Sequence, residues 1–429
     1  MLPQISKLIN EFRDKPSYLV SFLAKELIAE LRANKTCQTY EMILDELDKR
    51  INQRQLKEPK VLINATGVVF HTNLGRAIMS EKDYDELKDF HINSTNLEFD
   101  LENNARGKRD ENLIFYLKML FGCEDALVVN NNAAAVFLVL NTLGKNEGVI
   151  TSRAELVEIG GGFRVSDVMR ESGARLIEVG TTNKTNINDY ENELNNAKMI
   201  LKTHKSNFYI GGFSEEVDAM SLNELAIKNE KIFYYDLGSG YVDLINDSLK
   251  DEPSVKSLIN QGISLVSFSG DKLFASTQAG IILGKKDLIE KLRKNQLLRM
   301  FRLNKTSLLM LTSAVKNYLN KDYDNLPSLA LINDKKQDVL AKAKKLQELI
   351  NMGEIIESKS LVGGGSMPDK LLSGYALKIK CEKTKLKELL NAGVVANYDK
   401  DSIIIDLRSV LPKQIESLSF IINQVFKEK

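Results

Sequence analysis

Lys272 carries the most evident chemistry in this chain. It stands in Ser269-Gly270-Asp271-Lys272-Leu273, after the apolar positions Ile263, Leu265, Val266 and Phe268 and before a second apolar run at 279–283. Burial penalises an ammonium and favours the neutral amine. A neutral amine is the nucleophile that condenses with an aldehyde cofactor. The plain alternative is an exposed lysine in a turn between two strands. Two further stations weigh against it. Asn130-Asn131-Asn132-Ala133-Ala134-Ala135 follows one apolar run and opens another, so Asn131, Asn132 and Ala133 could cradle an anion with backbone N–H groups at a helix start. Asparagine also caps ordinary helices, which leaves that reading open. Asp236, in Tyr235-Asp236-Leu237-Gly238-Ser239-Gly240, is a carboxylate at the C-terminal end of a strand, where open α/β sheets bind ligands. It could hold a protonated pyridine nitrogen, or merely cap a turn.

Lys272 follows Asp236 by 36 positions. The order anion cradle, carboxylate, lysine, each at a strand end, matches pyridoxal phosphate enzymes of the aspartate-aminotransferase type. Ser269 beside the lysine and His204 in Thr203-His204-Lys205 complete a candidate cofactor-binding set, although a structural role for the histidine is equally open. Arginines form another station. Arg76 ends Thr72-Asn73-Leu74-Gly75-Arg76, and Arg299 and Arg302 lie one helical turn apart. Guanidinium forks suit oxyanions, but isolated surface arginines also form ordinary ion pairs. Glu155 and Glu158, in Glu155-Leu156-Val157-Glu158, could line the site without an assignable role. Gly363-Gly364-Gly365-Ser366 reads as a loop.

These residues require elements to position them. Candidate strands at 126–129, 148–151, 175–179, 208–211, 231–236, 265–268 and 279–283 alternate with helical patterns, which predicts a mainly parallel sheet covered on both faces. Residues 1–60 have three amphipathic helical stretches and scattered lysines and arginines. They form either a module that grips RNA or a partner, or a solvated face with a packing stripe. Residues 61–305 form the large domain. Residues 306–429 form a small α/β domain, with helices at 306–319, 334–352, 383–391 and 412–426 and strands at 375–379 and 402–407.

Composition narrows the function classes. Of 429 residues, 43% are hydrophobic, enough for a sizeable core, and a net charge of +1 excludes a generally basic nucleic-acid binder while allowing a local patch. Cys37, Cys123 and Cys381 are far apart, which argues against a disulfide framework or a zinc site and for a reducing cytoplasm. No apolar run is long enough to span a membrane, and no signal-peptide pattern opens the chain.

The sequence resembles the bacterial selenocysteine synthase family, the L-seryl-tRNA(Sec) selenium transferases. The segments that carry the resemblance include INATGVVFHTNLGRA (63–77), SRAELVEIGGGFRVSD (152–167), DLGSG (236–240), SGDKLFASTQAGIILG (269–284) and IIIDLRSVLP (403–412). The resemblance implies an aspartate-aminotransferase-like (fold type I) α/β enzyme using pyridoxal 5'-phosphate, an N-terminal tRNA-binding module and a homo-oligomer built as a ring of dimers. It implies conversion of L-seryl-tRNA(Sec) to selenocysteinyl-tRNA(Sec), by elimination of water to a dehydroalanyl ester and addition of selenium from selenophosphate. Carried over by motif, Lys272 is the Schiff-base lysine, and Asp271, Arg76, Arg299 and Arg302 form the selenium-donor site. The chain departs from the family pattern at Ala275-Ser276-Thr277, at Asp110-Glu111-Asn112 and at Asn397. Two other readings stand beside it. A related lyase or transferase acting on a free amino acid would need a carboxylate clamp, for which Arg408 is the candidate. A non-catalytic assembly protein would not need Lys272 and Asp236.

Overall fold

A computed structural model describes residues 2–427 apart from Cys37, Gly160, Gly161, Asn207, Tyr209, Leu244, Ile245 and 364–369. Seven strands form the central sheet. They are β1 (Asp125–Val129), β2 (Gly148–Ser152), β3 (Arg175–Val179), β4 (Met199–Thr203), β5 (Ile232–Gly238), β6 (Leu265–Ser269) and β7 (Gly280–Gly284). Their spatial order is β1-β7-β6-β5-β4-β2-β3. All neighbours are parallel except at β7, which is antiparallel to β6 and to β1. The strands are short apolar runs because both faces are covered. One face buries Val128, Phe233, Val266 and Ile281 with Leu117 and Leu311 of the helices Glu111–Phe121 and Lys305–Asn320. The other buries Leu127, Leu201, Tyr234 and Ile282 with Leu138 and Ile289 of the helices Asn132–Leu143 and Lys286–Lys294.

The strand expected at 208–211 is not formed by its described residues, and β4 takes that place in the sheet. Both segments are short and apolar, so periodicity alone could not separate them. Met199-Ile200-Leu201 wins because it pairs on both sides, with Val149 and Ile150 of β2 and with Ile232–Tyr234 of β5. The glycine loop expected at 363–366 lies outside the described residues except for Gly363, which ends the strand Glu354–Gly363.

A second, six-stranded sheet runs in the order Ile63–Ala65, Val394–Asp399, Ser402–Asp406, Leu371–Lys380, Glu354–Gly363, Val68–Phe70. Its edge strands come from the segment that the sequence places in the large domain. The helix Lys305–Asn320, expected in the small domain, buries Leu308, Leu311 and Val315 in the large core. The six-stranded sheet and the large core therefore each draw on residues from both sides of position 305. At the N-terminus, the helices Ile5–Glu11, Ser17–Ala33 and Tyr40–Leu56 enclose a core of their own around Leu8, Val20, Leu27, Leu47 and Ile51.

Two close approaches hold the lysine loop against the sheet. A Cβ on Gly280 would lie 2.2 Å from the carbonyl oxygen of Asn131, and one on Gly270 would lie 2.5 Å from that of Thr277. Neither position tolerates a side chain without moving backbone. Gly280→Ala is expected to destabilise the fold by about 1–3 kcal/mol through overpacking. Gly374→Ala, whose added Cβ meets nothing closer than 3.5 Å, is expected to leave the urea midpoint near that of the parent. Equal midpoints for the two variants would show that the Gly280–Asn131 approach does not constrain this loop.

Candidate active site

The parallel register brings the C-terminal ends of β4, β5 and β6 to one level. Thr203 pairs with Asp236, and Asp236 with Ser267, before the register shifts at a bulge between Asp236 and Gly238, which pairs with Phe268. Asp236 is buried and accepts a hydrogen bond from Asn132 Nδ2 at 2.8 Å. Lys272 reaches the same place from the loop after β6: a Cβ on Gly238 would stand 3.8 Å from its Nζ. Burial pushes the Lys272 ammonium down from the ordinary lysine range, with the Arg76 guanidinium adding to it and the Asp236 carboxylate opposing it. Burial likewise raises Asp236, against the stabilising Asn132, Lys272 and His204. The lysine is thus biased toward the free amine and the aspartate toward holding a proton.

Asn131 caps the helix Asn132–Leu143 by accepting from the Ala134 amide at 2.8 Å. Its side chain is committed to that cap, while the first N–H groups of the helix, at Asn132 and Ala133, have no partner within the helix. Ser269 is buried at the end of β6. His204 follows β4 directly. Its amide donates to the Asp236 carbonyl at 2.9 Å, and its Nε2 lies 3.2 Å from Glu252.

Arg76 forms an ion pair with Asp271, Nη1 to Oδ2 at 2.9 Å, next to Lys272. The turn Thr72–Leu74 aims it there: Gly75 and Arg76 both take left-handed backbone, φ +94° and +60°. Such strain in a non-glycine residue persists where the surroundings over-determine it. Arg299 and Arg302 lie elsewhere. Arg302 pairs with Glu98 at 2.6 Å and Arg299 is exposed. Both line a cavity of about 450 Å³ with Arg106, Lys108, Arg109 and Arg293. The Phe301 carbonyl accepts from the Asn130 amide at 2.9 Å, which ties this segment to the cradle turn. Among the described residues, however, no hydrogen bond or ion pair joins Arg299 or Arg302 to Arg76, Asp271 or Lys272. The four residues expected to form one donor site are brought together only as Arg76 and Asp271.

The departures from the family pattern have structural accounts. Ala275 sits at φ +57°, closing a turn in which its amide donates to the Lys272 carbonyl at 2.7 Å. A glycine relieves that conformation, whereas alanine keeps the turn under strain. Ser276 and Thr277 anchor the loop to the helix behind it through Met310 and Ser307. Asp110 precedes the helix Glu111–Phe121 and faces Arg293, and Asn397 donates to the Thr66 carbonyl. Glu155 and Glu158 separate: Glu158 pairs with Arg164 in solvent, while Glu155 is buried, accepting from Lys202 Nζ at 2.9 Å and from the Thr203 amide at 3.1 Å. Glu155 therefore fixes the end of β4, one residue before His204.

Sequence reasoning missed Glu252. It lies in the polar run Lys250-Asp251-Glu252-Pro253, which gives no signal of burial. Arg408 is corrected as a carboxylate clamp. It is buried, and its guanidinium donates to the carbonyls of Leu331, Asp334 and Ser373. Both Nη atoms are thereby committed to backbone, and its Nε is buried without a hydrogen-bond partner among the described residues.

The residues present fit pyridoxal phosphate. A lysine biased toward the free amine and a buried carboxylate sit side by side at the strand ends. The Oδ1 atoms of Asn130 and Asn132 are buried without a hydrogen-bond partner among the described residues, which leaves polar groups at the cradle for a ligand to satisfy. Arg76→Met removes the cation that disfavours the Lys272 ammonium and frees the Asp271 carboxylate that favours it. Both changes raise the lysine. The pH midpoint for capture of pyridoxal phosphate by the apo protein is expected to move upward, and an unchanged or lower midpoint would contradict the assigned electrostatics. Ala275→Gly, which relieves left-handed strain at some cost in chain entropy, is expected to stabilise the protein by about 0.5–1 kcal/mol in urea unfolding.

Three comparisons bear on this geometry. A family model described as L-seryl-tRNA selenium transferase matches residues 62–411. An L-seryl-tRNA(Sec) selenium transferase of Campylobacter jejuni is 47% identical over 99% of this chain and 98% of its own length. One from Wolinella succinogenes is 41% identical over the same shares, 99% and 98%. Among solved structures, a D-glucosaminate-6-phosphate ammonia-lyase superposes with a TM-score of 0.62 at 15% identity, covering 87% of this chain and 97% of that one, a likeness of fold alone. With the match spanning both sheets and every strand end described above, the chain belongs to the L-seryl-tRNA selenium transferase family.

Proposed function

We propose that this protein is a pyridoxal-phosphate-dependent L-seryl-tRNA(Sec) selenium transferase, which turns the seryl ester of tRNA(Sec) into a selenocysteinyl ester. The observation that carries this reading is the pairing of Lys272 with buried Asp236 at the strand ends of a chain 47% identical, over nearly its whole length, to a transferase of that name. When bound, the cofactor supplies an electron sink for the carbanion left by removal of the α proton.

The chain's own residues do the rest. Asp236, oriented by Asn132, would hold the ring nitrogen of the cofactor. The N–H groups of Asn132 and Ala133, with Ser269, take the phosphate, and Asn131 holds that helix start in place through its cap. His204 stands beside Asp236. Lys272 as free amine takes the α proton of the seryl group, and that proton leaves with the β-hydroxyl as water. Lys272 receives a proton from solvent and returns one to the α carbon when the selenium of selenophosphate bonds to the β carbon, and water cleaves the P–Se bond to release phosphate. Arg76, held by Asp271, offers charge-assisted hydrogen bonds to the anionic donor, selenophosphate. Arg299 and Arg302 belong to the donor's path, through the arginine-lined cavity.

The three N-terminal helices, with exposed Tyr18 and Phe22 and scattered lysines and arginines, are the tRNA-binding module of this reading. Exposed Tyr84, Ile92, Phe115 and Met119 on the helices Glu81–Ile92 and Glu111–Phe121 support association into a homo-oligomer, a ring of dimers. No helix among the described residues is long and apolar enough to cross a membrane, which agrees with a cytoplasmic enzyme. The free-amino-acid alternative loses its clamp with Arg408.

The test is conversion of seryl-tRNA(Sec) by the purified protein with pyridoxal phosphate and selenophosphate. Selenocysteinyl-tRNA is expected with the parent and is expected to vanish in Lys272→Ala. Arg302→Ala is expected to raise the half-saturating selenophosphate concentration by tenfold or more. Turnover of free serine with no response to charged tRNA would overturn the assignment.

A further inference from the structure

The arginine-lined cavity of about 450 Å³ has seven arginines and lysines in its wall and two carboxylates, Glu98 and Asp110. Asp110 faces Arg293. Three other arginines converge on Glu98. Arg302 Nη2 lies 2.6 Å from its Oε1, Arg109 Nε 3.6 Å from the same oxygen, and Arg106 Nη2 3.7 Å from its Oε2. Only the first of these is a hydrogen bond. The Arg109 Nε is buried without a hydrogen-bond partner among the described residues. Burial pushes the Arg109 guanidinium down from the ordinary arginine range, and the Arg302 charge adds to it, against Glu98 and Asp110. One planar carboxylate thus serves one guanidinium by hydrogen bonding and two by charge alone.

We propose that Glu98 is the resident counter-ion of this cavity: its carboxylate holds the place of a tetrahedral dianion of the phosphate class, and is displaced when one binds. Glu98 is then a determinant of donor affinity. This inference rests on the reading of the cavity as the path of selenophosphate.

A tetrahedral dianion brings two charges and more oxygens than a carboxylate. Guanidinium forks bind such oxyanions through charge-assisted hydrogen bonds. It can therefore serve Arg106, Arg109 and Arg302 together, where Glu98 serves one. A monoanion brings no more charge than the carboxylate it would replace, so Glu98 also screens the cavity against small monoanions. The exchange needs only a side-chain rotation. The Glu98 carbonyl accepts from the Gly107 amide at 2.9 Å, beside the paired strands Phe99–Asp100 and Ala105–Arg106. The Arg302 side is anchored by the bond between the Phe301 carbonyl and the Asn130 amide. Between these fixed backbones the Glu98 side chain is 41% exposed, which leaves it solvent to turn into. An ion pair that open to water contributes little, so a dianion can break it.

Inorganic phosphate is the probe, standing in for selenophosphate. The protein is used loaded with pyridoxal phosphate, so that the cofactor's own phosphate site is filled. Titration calorimetry at about pH 8, above the second ionisation of phosphate, reads the Kd. Glu98→Gln is expected to bind phosphate about fivefold more tightly than the parent, the factor released when one exposed ion pair no longer competes. Glu98→Ala should shift the Kd the same way, so the failure of one variant to fold leaves the other to decide. Arg302→Ala should weaken phosphate binding by about tenfold. Nitrate should compete with phosphate in Glu98→Gln and not in the parent. In turnover, the half-saturating selenophosphate concentration should fall in Glu98→Gln, opposite in sign to Arg302→Ala. A packing role for Glu98 would give no such gain. A phosphate Kd unchanged or raised in both Glu98 variants overturns the proposal. Absence of phosphate binding in every protein overturns it too, together with the donor path. The readout needs neither tRNA nor turnover, so it separates from the functional assignment. Equal Kd values in an enzyme that converts seryl-tRNA(Sec) sink only the Glu98 role. A tightened Kd in a protein that fails to convert it leaves the counter-ion standing and removes only selenophosphate as the dianion.

Discussion

Everything in this structure depends on keeping a lysine and an aspartate together where water is scarce. Taking either charge out of water costs several kcal/mol even after relaxation. The pair relaxes that cost by moving toward its neutral forms, Lys272 downward and Asp236 upward. Such a state leaves a nucleophilic amine beside a proton-holding carboxyl, the pair that an aldehyde cofactor with a ring nitrogen would require. It lasts only if the backbone leaves the two side chains no escape to solvent. That is the task of the sheet register: Asp236 is locked between Thr203 and Ser267, and Lys272 is returned to it by the tight loop between β6 and the antiparallel β7.

The rigidity of that loop comes from backbone approaches as well as from the side-chain bonds of Asp271, Ser276 and Thr277. Gly280 lies against the Asn131 carbonyl, Gly270 against Thr277, and Ala275 accepts left-handed backbone to close the turn. The cradle at 130–133 and the lysine loop are therefore parts of one packed unit. A displacement of either moves the other, which is how an anion held at the helix start can set the position of an amine two strands away.

Much of this was legible in the sequence because the site lies at strand ends. Six of the seven expected strands coincide with β1, β2, β3, β5, β6 and β7, and the candidate site residues of β1, β5 and β6 sit at or just past their ends. The exception, 208–211 in place of Met199–Thr203, shows the limit: two neighbouring apolar runs look alike until pairing partners are known. The sheet shared between residues 63–70 and the C-terminal third was equally hidden, since strands three residues long carry no periodicity. Glu252 was invisible for a different reason, whereas Glu155 stood out in the sequence without its partner Lys202. Charged residues in polar runs read as solvated, and only the fold reveals which of them face inward. Arg408 shows the reverse error, a guanidinium that looked free in sequence and is spent on three carbonyls.

The shared sheet has a mechanical consequence. The chain runs from Ile63–Ala65 and Val68–Phe70, at the two edges of the C-terminal sheet, straight through the turn Thr72–Leu74 to Arg76 and its partner Asp271. Gly67 stands between the two edge strands at φ +77°, with a would-be Cβ 2.6 Å from Asp406 Oδ2 of the same sheet. The position of Arg76 is thus set from the C-terminal sheet, and that of Lys272 from the central one. Their meeting at Asp271 makes the ion pair one junction between the two sheets, beside the shared core that takes in Val69, Phe70, Val362 and Leu372. A rotation of one sheet on the other would shift the guanidinium relative to the lysine beside it.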